Sequence, residues 1–115
     1  MKDDKLYLIH ISECINRIAE YVAEGKEFFF RDGKTQDAVL RNLQILSEST
    51  QRLSMDLKAN HSEIDWKRIA GFRNILVHDY LGINPVRVWE IVERYLPELK
   101  EKIDEIVASL RETTH

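Results

Sequence analysis

Leu8-Ile9-His10-Ile11-Ser12-Glu13-Cys14-Ile15-Asn16-Arg17-Ile18-Ala19-Glu20-Tyr21-Val22 carries the pattern from which the fold is read. Leu8, Ile11, Ile15, Ile18 and Val22 step by three and four residues, so a helix sets them along one face. The spacing predicts a helix from about Asp3 to Ala23 or somewhat beyond, with Gly25 within reach of its last turns. Cys14 lies on the same apolar side, near Ile11 and Ile18, and reads as a buried small hydrophobe rather than a nucleophile. Downstream, Phe28-Phe29-Phe30-Arg31-Asp32-Gly33-Lys34 runs three aromatics into an Asp-Gly turn signal. Packing in the core is the first reading of these rings, and docking to a partner or second subunit is the alternative.

The same periodicity recurs along the rest of the chain. Thr35 is the expected N-cap of a second helix, with Asp37 in the first turn, where the helix dipole favours a carboxylate. Val39, Leu43, Leu46, Thr50 and Leu53 mark its inner face, and the polar stretch from Asp56 to Asn60 is its expected end. Ser62 and Asp65 both offer cap oxygens to a third helix, with Ile69, Phe72 and Leu76 inward and a stop near Leu81-Gly82. Asn84-Pro85 reads as a cap followed by proline at the first helical position. Leu96, Leu99, Ile103, Ile106 and Leu110 continue that last stripe, which Pro97 should kink or split. No alternating strand pattern interrupts these segments. The expected fold is all-α, an up-and-down bundle of four main helices with room for a short extra one, as a single domain over residues 1–115.

Composition narrows the function classes. Among 115 residues 43% are apolar and 32% charged, which suits one globular domain. A single cysteine can form neither an internal disulfide nor a four-thiolate metal site. The acidic opening lacks the basic start of a signal peptide, and no apolar run approaches the roughly 18 residues a spanning helix needs. A cytoplasmic protein with no membrane association is therefore expected. The net charge of −3, from 17 basic and 20 acidic side chains, argues against coating nucleic acid by bulk electrostatics. Contact with RNA would have to be local. A chain this small is also near the size at which dimerisation usefully adds core.

The residues that carry chemistry lie in Arg73-Asn74-Ile75-Leu76-Val77-His78-Asp79-Tyr80. Helix geometry places Arg73, Val77 and Tyr80 in one row and Asn74 and His78 in the next, so Asn74 can orient the His78 ring. Arg73 and His78 stand about 140° apart around the axis and roughly 7.5 Å along it. They converge if the arginine reaches around, if the helix loosens before Gly82, or if a second subunit contributes. Such a set suits RNA cleavage without a metal: histidine takes a proton from a ribose 2′-hydroxyl, and arginine holds the phosphate. The structural alternative pairs Arg73 with Asp79 or Glu63 and leaves His78 and Tyr80 as cap and packing groups. A metal site at His78 and Asp79 is poorly supported, because no further ligand is spaced to join them. No phosphate-binding glycine loop is present, and no cofactor is implied.

This motif, preceded by Ile64-Asp65-Trp66-Lys67-Arg68-Ile69-Ala70-Gly71-Phe72 and by Thr35-Gln36-Asp37-Ala38-Val39-Leu40-Arg41-Asn42-Leu43 with Ser47-Glu48, resembles the HepT-like branch of the HEPN superfamily over nearly the whole chain. The resemblance implies a helical homodimer that brings its motifs together in a cleft and acts as a metal-independent endoribonuclease toxin. By position, Arg73 and His78 would be catalytic, and Asn74 and Asp79 supporting polar groups. The implied partner is a minimal nucleotidyltransferase antitoxin that silences the toxin by transferring AMP onto the motif tyrosine, here Tyr80. Asp65 stands where the family pattern leads one to expect a proline before the tryptophan, exchanging a first-turn residue for a cap. Lys67, Arg68, Arg87 and Arg94 flank the motif, either to guide RNA or as a solvated face. The rival to an enzyme is a non-catalytic helical dimer of the same architecture that binds the nucleotidyltransferase or a nucleotide.

Overall fold

The computed structural model describes residues 3–77 and 84–113. Helix α1 spans Asp4–Tyr21, followed by a short α2 at Lys26–Arg31, α3 at Gly33–Gln51 and a short α4 at Met55–Asn60. Helix α5 covers Trp66–Val77, and α6 covers Pro85–Glu90. The last helix then runs through a π-helical turn at Ile91–Tyr95 into α7 at Leu96–Thr113. The described residues contain no strand, as the periodicity requires.

Leu8, Ile11, Cys14, Ile15 and Ile18 are all buried, so the opening stripe is the α1 contribution to the core. Helix α3 packs along α1 on one side and α5 on the other, while α7 packs on the remaining flank of α1. Val39, Leu43, Leu46, Ile69, Phe72, Leu96, Leu99 and Ile103 fill the space between them. The Cys14 thiol is pushed up in pKa by burial, against the pull of Arg17, which fits its reading as an inert core group. The Ser12 hydroxyl donates to Asp104 across 2.9 Å and ties α1 to α7. The molecule measures 47 × 27 × 21 Å. Its long dimension matches the continuous helix over 85–113, about 43 Å at 1.5 Å per residue.

Several boundaries depart from the sequence expectations. α1 ends at Tyr21 rather than Ala23, and Gly25 lies outside it with φ of 101°, a left-handed value that suits glycine. The Phe28-Phe29-Phe30 stretch forms a helical turn, and Asp32-Gly33 is a cap rather than a reverse turn. The N-cap of α3 is Asp32, not Thr35. The Asp32 carboxylate accepts from the Thr35 amide at 3.1 Å and from the Thr35 hydroxyl, an arrangement that holds its pKa below the usual carboxylate range.

The second helix does not run on to Asp56–Asn60 as its pattern suggested. It ends at Gln51, and α4 starts again after Ser54. The Ser54 hydroxyl accepts from the Leu57 amide at 3.1 Å, while its own amide and hydroxyl donate to the Asp4 carboxylate at 2.8 and 2.7 Å. A residue near the chain start therefore pins the break, which no local reading of residues 50–60 would reveal. Asp4→Ala is expected to lower stability by about 1–2 kcal/mol in denaturant unfolding, since two charge-assisted bonds at a half-buried site are lost. An unchanged midpoint would show that water replaces the carboxylate without loss.

Pro97 does not split the last helix, which runs on through it from the π-helical turn into α7. A proline has no amide to donate and its ring crowds the preceding turn. The chain relieves this by widening one turn, with the Leu96 amide donating to the Ile91 carbonyl five residues back.

Candidate functional site

Asp65 resolves the choice of cap for α5, accepting from the Arg68 amide at 3.1 Å. The Trp66 indole N–H donates to the carbonyls of Lys58 (3.2 Å) and His61 (3.1 Å), locking the end of α4 onto the start of α5. With Ile69 and Phe72 buried, the rotation of α5 is fixed and Arg73 emerges exposed. Among the described residues Arg73 makes no ion pair. Glu63, one of its two suggested partners, faces His61 at 3.7 Å instead.

The other predicted site residues stand differently. Asn74 lies in α5, but its side chain is outside the described residues, and His78, Asp79 and Tyr80 lie outside them altogether. The structure thus bears on Arg73 and on the two helices that flank the motif. α5 is described as far as Val77, and α6 begins after Asn84, whose side chain accepts from the amides of Val86 (3.1 Å) and Arg87 (3.3 Å). Among the described residues no group of three His, Cys, Asp or Glu is placed to hold a metal ion. No described helix is long and apolar enough to cross a membrane.

Between α5 and α6 lies a cleft of about 400 Å³ lined by Arg68, Gly71, Phe72, Arg87, Glu90 and Ile91. Of the four basic residues singled out in the sequence, Arg68 and Arg87 line it; Lys67 and Arg94 are exposed outside that lining. The Arg68 guanidinium sits 4.4 Å from the centre of the Tyr95 ring, and Tyr95 meets Phe72 edge to face at 5.6 Å. Burial pushes the Tyr95 phenol up in pKa, with the Arg68 charge opposing, so the ring meets the arginine as a neutral aromatic.

Sequence reading missed Tyr95 and Glu90 as site residues, and gave Gly71 no role of its own. Gly71 lies inside α5, where glycine is unfavourable, yet among the described residues an added Cβ would meet no atom within 4 Å beyond its own stretch of helix. Packing therefore gives no reason for it. Gly71→Ala is expected to raise stability by about 0.5–1 kcal/mol, seen as a thermal midpoint higher by a few degrees; a lower midpoint would mean the methyl group is not accommodated.

Comparison with known proteins identifies the class. A family model described as Ribonuclease HepT-like matches residues 11–106. The chain is 37% identical to a Thermococcus cleftensis protein named probable ribonuclease HepT, over 91% of this chain and 96% of that one. It is 30% identical to the mRNA nuclease HepT of Shewanella oneidensis, over 85% of this chain and 91% of that protein. A Methanocaldococcus jannaschii protein whose name joins a gamma-glutamylcyclotransferase to an RNase is 39% identical over 95% of this chain, which spans 50% of its length. No solved structure matches. The chain belongs to the HepT-like ribonuclease family, and the HEPN resemblance carried by the Arg73–Tyr80 motif is borne out.

Proposed function

We propose that this chain is a metal-independent endoribonuclease toxin that works as a homodimer. Membership in the HepT-like ribonuclease family, with the match spanning the Arg73–Tyr80 motif, carries this reading. The exposure of Arg73 supports it, because a guanidinium reserved for a phosphate must not be consumed by an internal carboxylate. In the proposed reaction His78 takes the proton from a ribose 2′-hydroxyl, and that oxygen attacks the adjacent phosphorus. The 5′-oxygen leaves with a proton from the partner's His78, giving a cyclic phosphate and a free 5′-hydroxyl. The nucleophile is part of the substrate, so no water needs a metal to activate it. Arg73 holds the charge that builds on the phosphoryl oxygens, with Asn74 and Asp79 orienting the imidazole and its surroundings. Cleavage of total cellular RNA in excess chelator, with His78→Ala beside the wild type, is the direct test.

Silencing is assigned to a minimal nucleotidyltransferase antitoxin. The Tyr80 phenol would attack the α-phosphorus of ATP and release pyrophosphate. The AMP left on Tyr80 puts a negative phosphate within reach of Arg73, where it occupies the substrate's phosphate position and repels RNA. Tyr80→Phe is expected to keep its cleavage activity and to resist inactivation by the partner and ATP, with no AMP mass increment on the intact chain. Silencing of Tyr80→Phe without an adduct elsewhere would replace modification by simple occlusion.

A further inference from the structure

The geometry points to the α5–α6 cleft as a subsite that holds one phosphodiester of the RNA chain beside the scissile position, gripped by Arg68 and Arg87 over the bare backbone at Gly71. This rests on the ribonuclease reading and extends it to residues outside the Arg73–Tyr80 motif. Three observations converge on it. Arg68 and Arg87 come from different helices yet line one cleft, and neither is ion-paired among the described residues. Glu90 lines it too, so two guanidinium groups against one carboxylate leave a net charge of +1, which matches a single phosphodiester.

The Tyr95 ring is the second observation. It supports the face of the Arg68 guanidinium at 4.4 Å, and a stacked guanidinium keeps its in-plane N–H groups available for oxygen. Tyr95 is thus a positioning residue that acts through Arg68. The third is Gly71, a helix-interior glycine that faces open space among the described residues and lines the same cleft. Glycine at such a place lets a ligand approach the helix backbone closely.

The test is binding of a fluorescent, fully 2′-O-methylated RNA, which cannot be cut, to the intact protein across a salt series. Arg68→Ala and Arg87→Ala should each weaken binding by about tenfold or more. Each should also reduce the slope of log K against log salt by about 0.7, the value for one phosphate contact on a single strand. Gly71→Leu should weaken binding comparably with a thermal midpoint no lower than wild type, a combination that a folding defect cannot produce. Tyr95→Leu should weaken binding while Tyr95→Phe, which keeps the ring, restores it. Lys67→Ala and Arg94→Ala should bind like wild type.

Equal losses from all four basic substitutions would mean a diffuse field and would overturn the subsite, as would unchanged binding by Gly71→Leu. Tighter binding of AMP than of the RNA, with the same dependence on Arg68 and Arg87, would reassign the cleft to a mononucleotide and overturn it too. If wild type cuts ordinary RNA while the cleft variants bind unchanged, the subsite is wrong and the ribonuclease reading stands. If wild type neither cuts nor binds RNA, both fall.

Discussion

His78→Ala should lose RNA cleavage by about 10² to 10⁴-fold in excess chelator, the usual contribution of a positioned general acid or base. The upper end is the expectation, because in the proposed dimer one substitution removes both the base of one subunit and the acid of its mate. Arg73→Ala should lose about 10² to 10³-fold, in line with removal of one group that stabilises developing charge. Arg73 is exposed and without an ion pair among the described residues, so its loss should change stability by less than about 1 kcal/mol. That pairing of a large kinetic effect with a small thermodynamic one separates catalysis from structure. A loss of several kcal/mol on Arg73→Ala would make the arginine a structural group. Cleavage undiminished in either variant would remove that residue from the site. Cleavage that the chelator abolishes and added metal restores would replace the proposed chemistry by a metal-assisted one.

The legible parts of this fold are those fixed within a few turns of chain. The α1 stripe from Leu8 to Ile18, the α3 stripe from Val39 to Thr50 and the Asn84-Pro85 start all appear where their spacing and cap chemistry put them. What local reading misplaced depends on groups brought from elsewhere. The break after Gln51 is held by Asp4, and the helical turn of the three phenylalanines is held by Trp89, which packs against the Phe29 and Phe30 rings. Asp32 outcompetes Thr35 as a cap because its carboxylate binds both the amide and the hydroxyl of Thr35. At the site, Arg73 could be named from its motif alone. The Arg68–Tyr95 stack could not, since it depends on the relative rotation of two helices and on the widened turn ahead of Pro97. Gly71 carried a weak signal, an unfavourable residue inside a helical pattern, but only the open space around it shows that packing does not require it.

Phe29→Ala should be among the most damaging substitutions in the chain. Helix α2 has six residues, too few to be stable on propensity alone, so its existence rests on what it buries. Phe29 is 0% exposed and lies 5.4 Å from the Trp89 ring and 5.9 Å from Phe30, while its carbonyl accepts from the Gln36 side-chain Nε2 at 2.9 Å. Truncating a fully buried phenylalanine costs about 3–5 kcal/mol, a large share of the roughly 5–15 kcal/mol that holds a typical domain folded. The thermal midpoint should fall by roughly 10–20 °C, and Phe28→Ala, at a half-buried position, should fall by clearly less. The effect should also reach the site. Trp89 sits on α6 with Arg87 and Glu90, and its indole N–H is buried without a hydrogen-bond partner among the described residues, so ring contacts hold it in place. A double-mutant cycle between Phe29 and Trp89 should return a coupling of about 0.5–1.5 kcal/mol. RNA binding by Phe29→Ala, measured where it remains folded, should be weaker because the helix carrying Arg87 has lost its anchor. A loss of stability below about 1 kcal/mol would show that the three phenylalanines do not anchor α6, and would return them to the alternative of a docking surface.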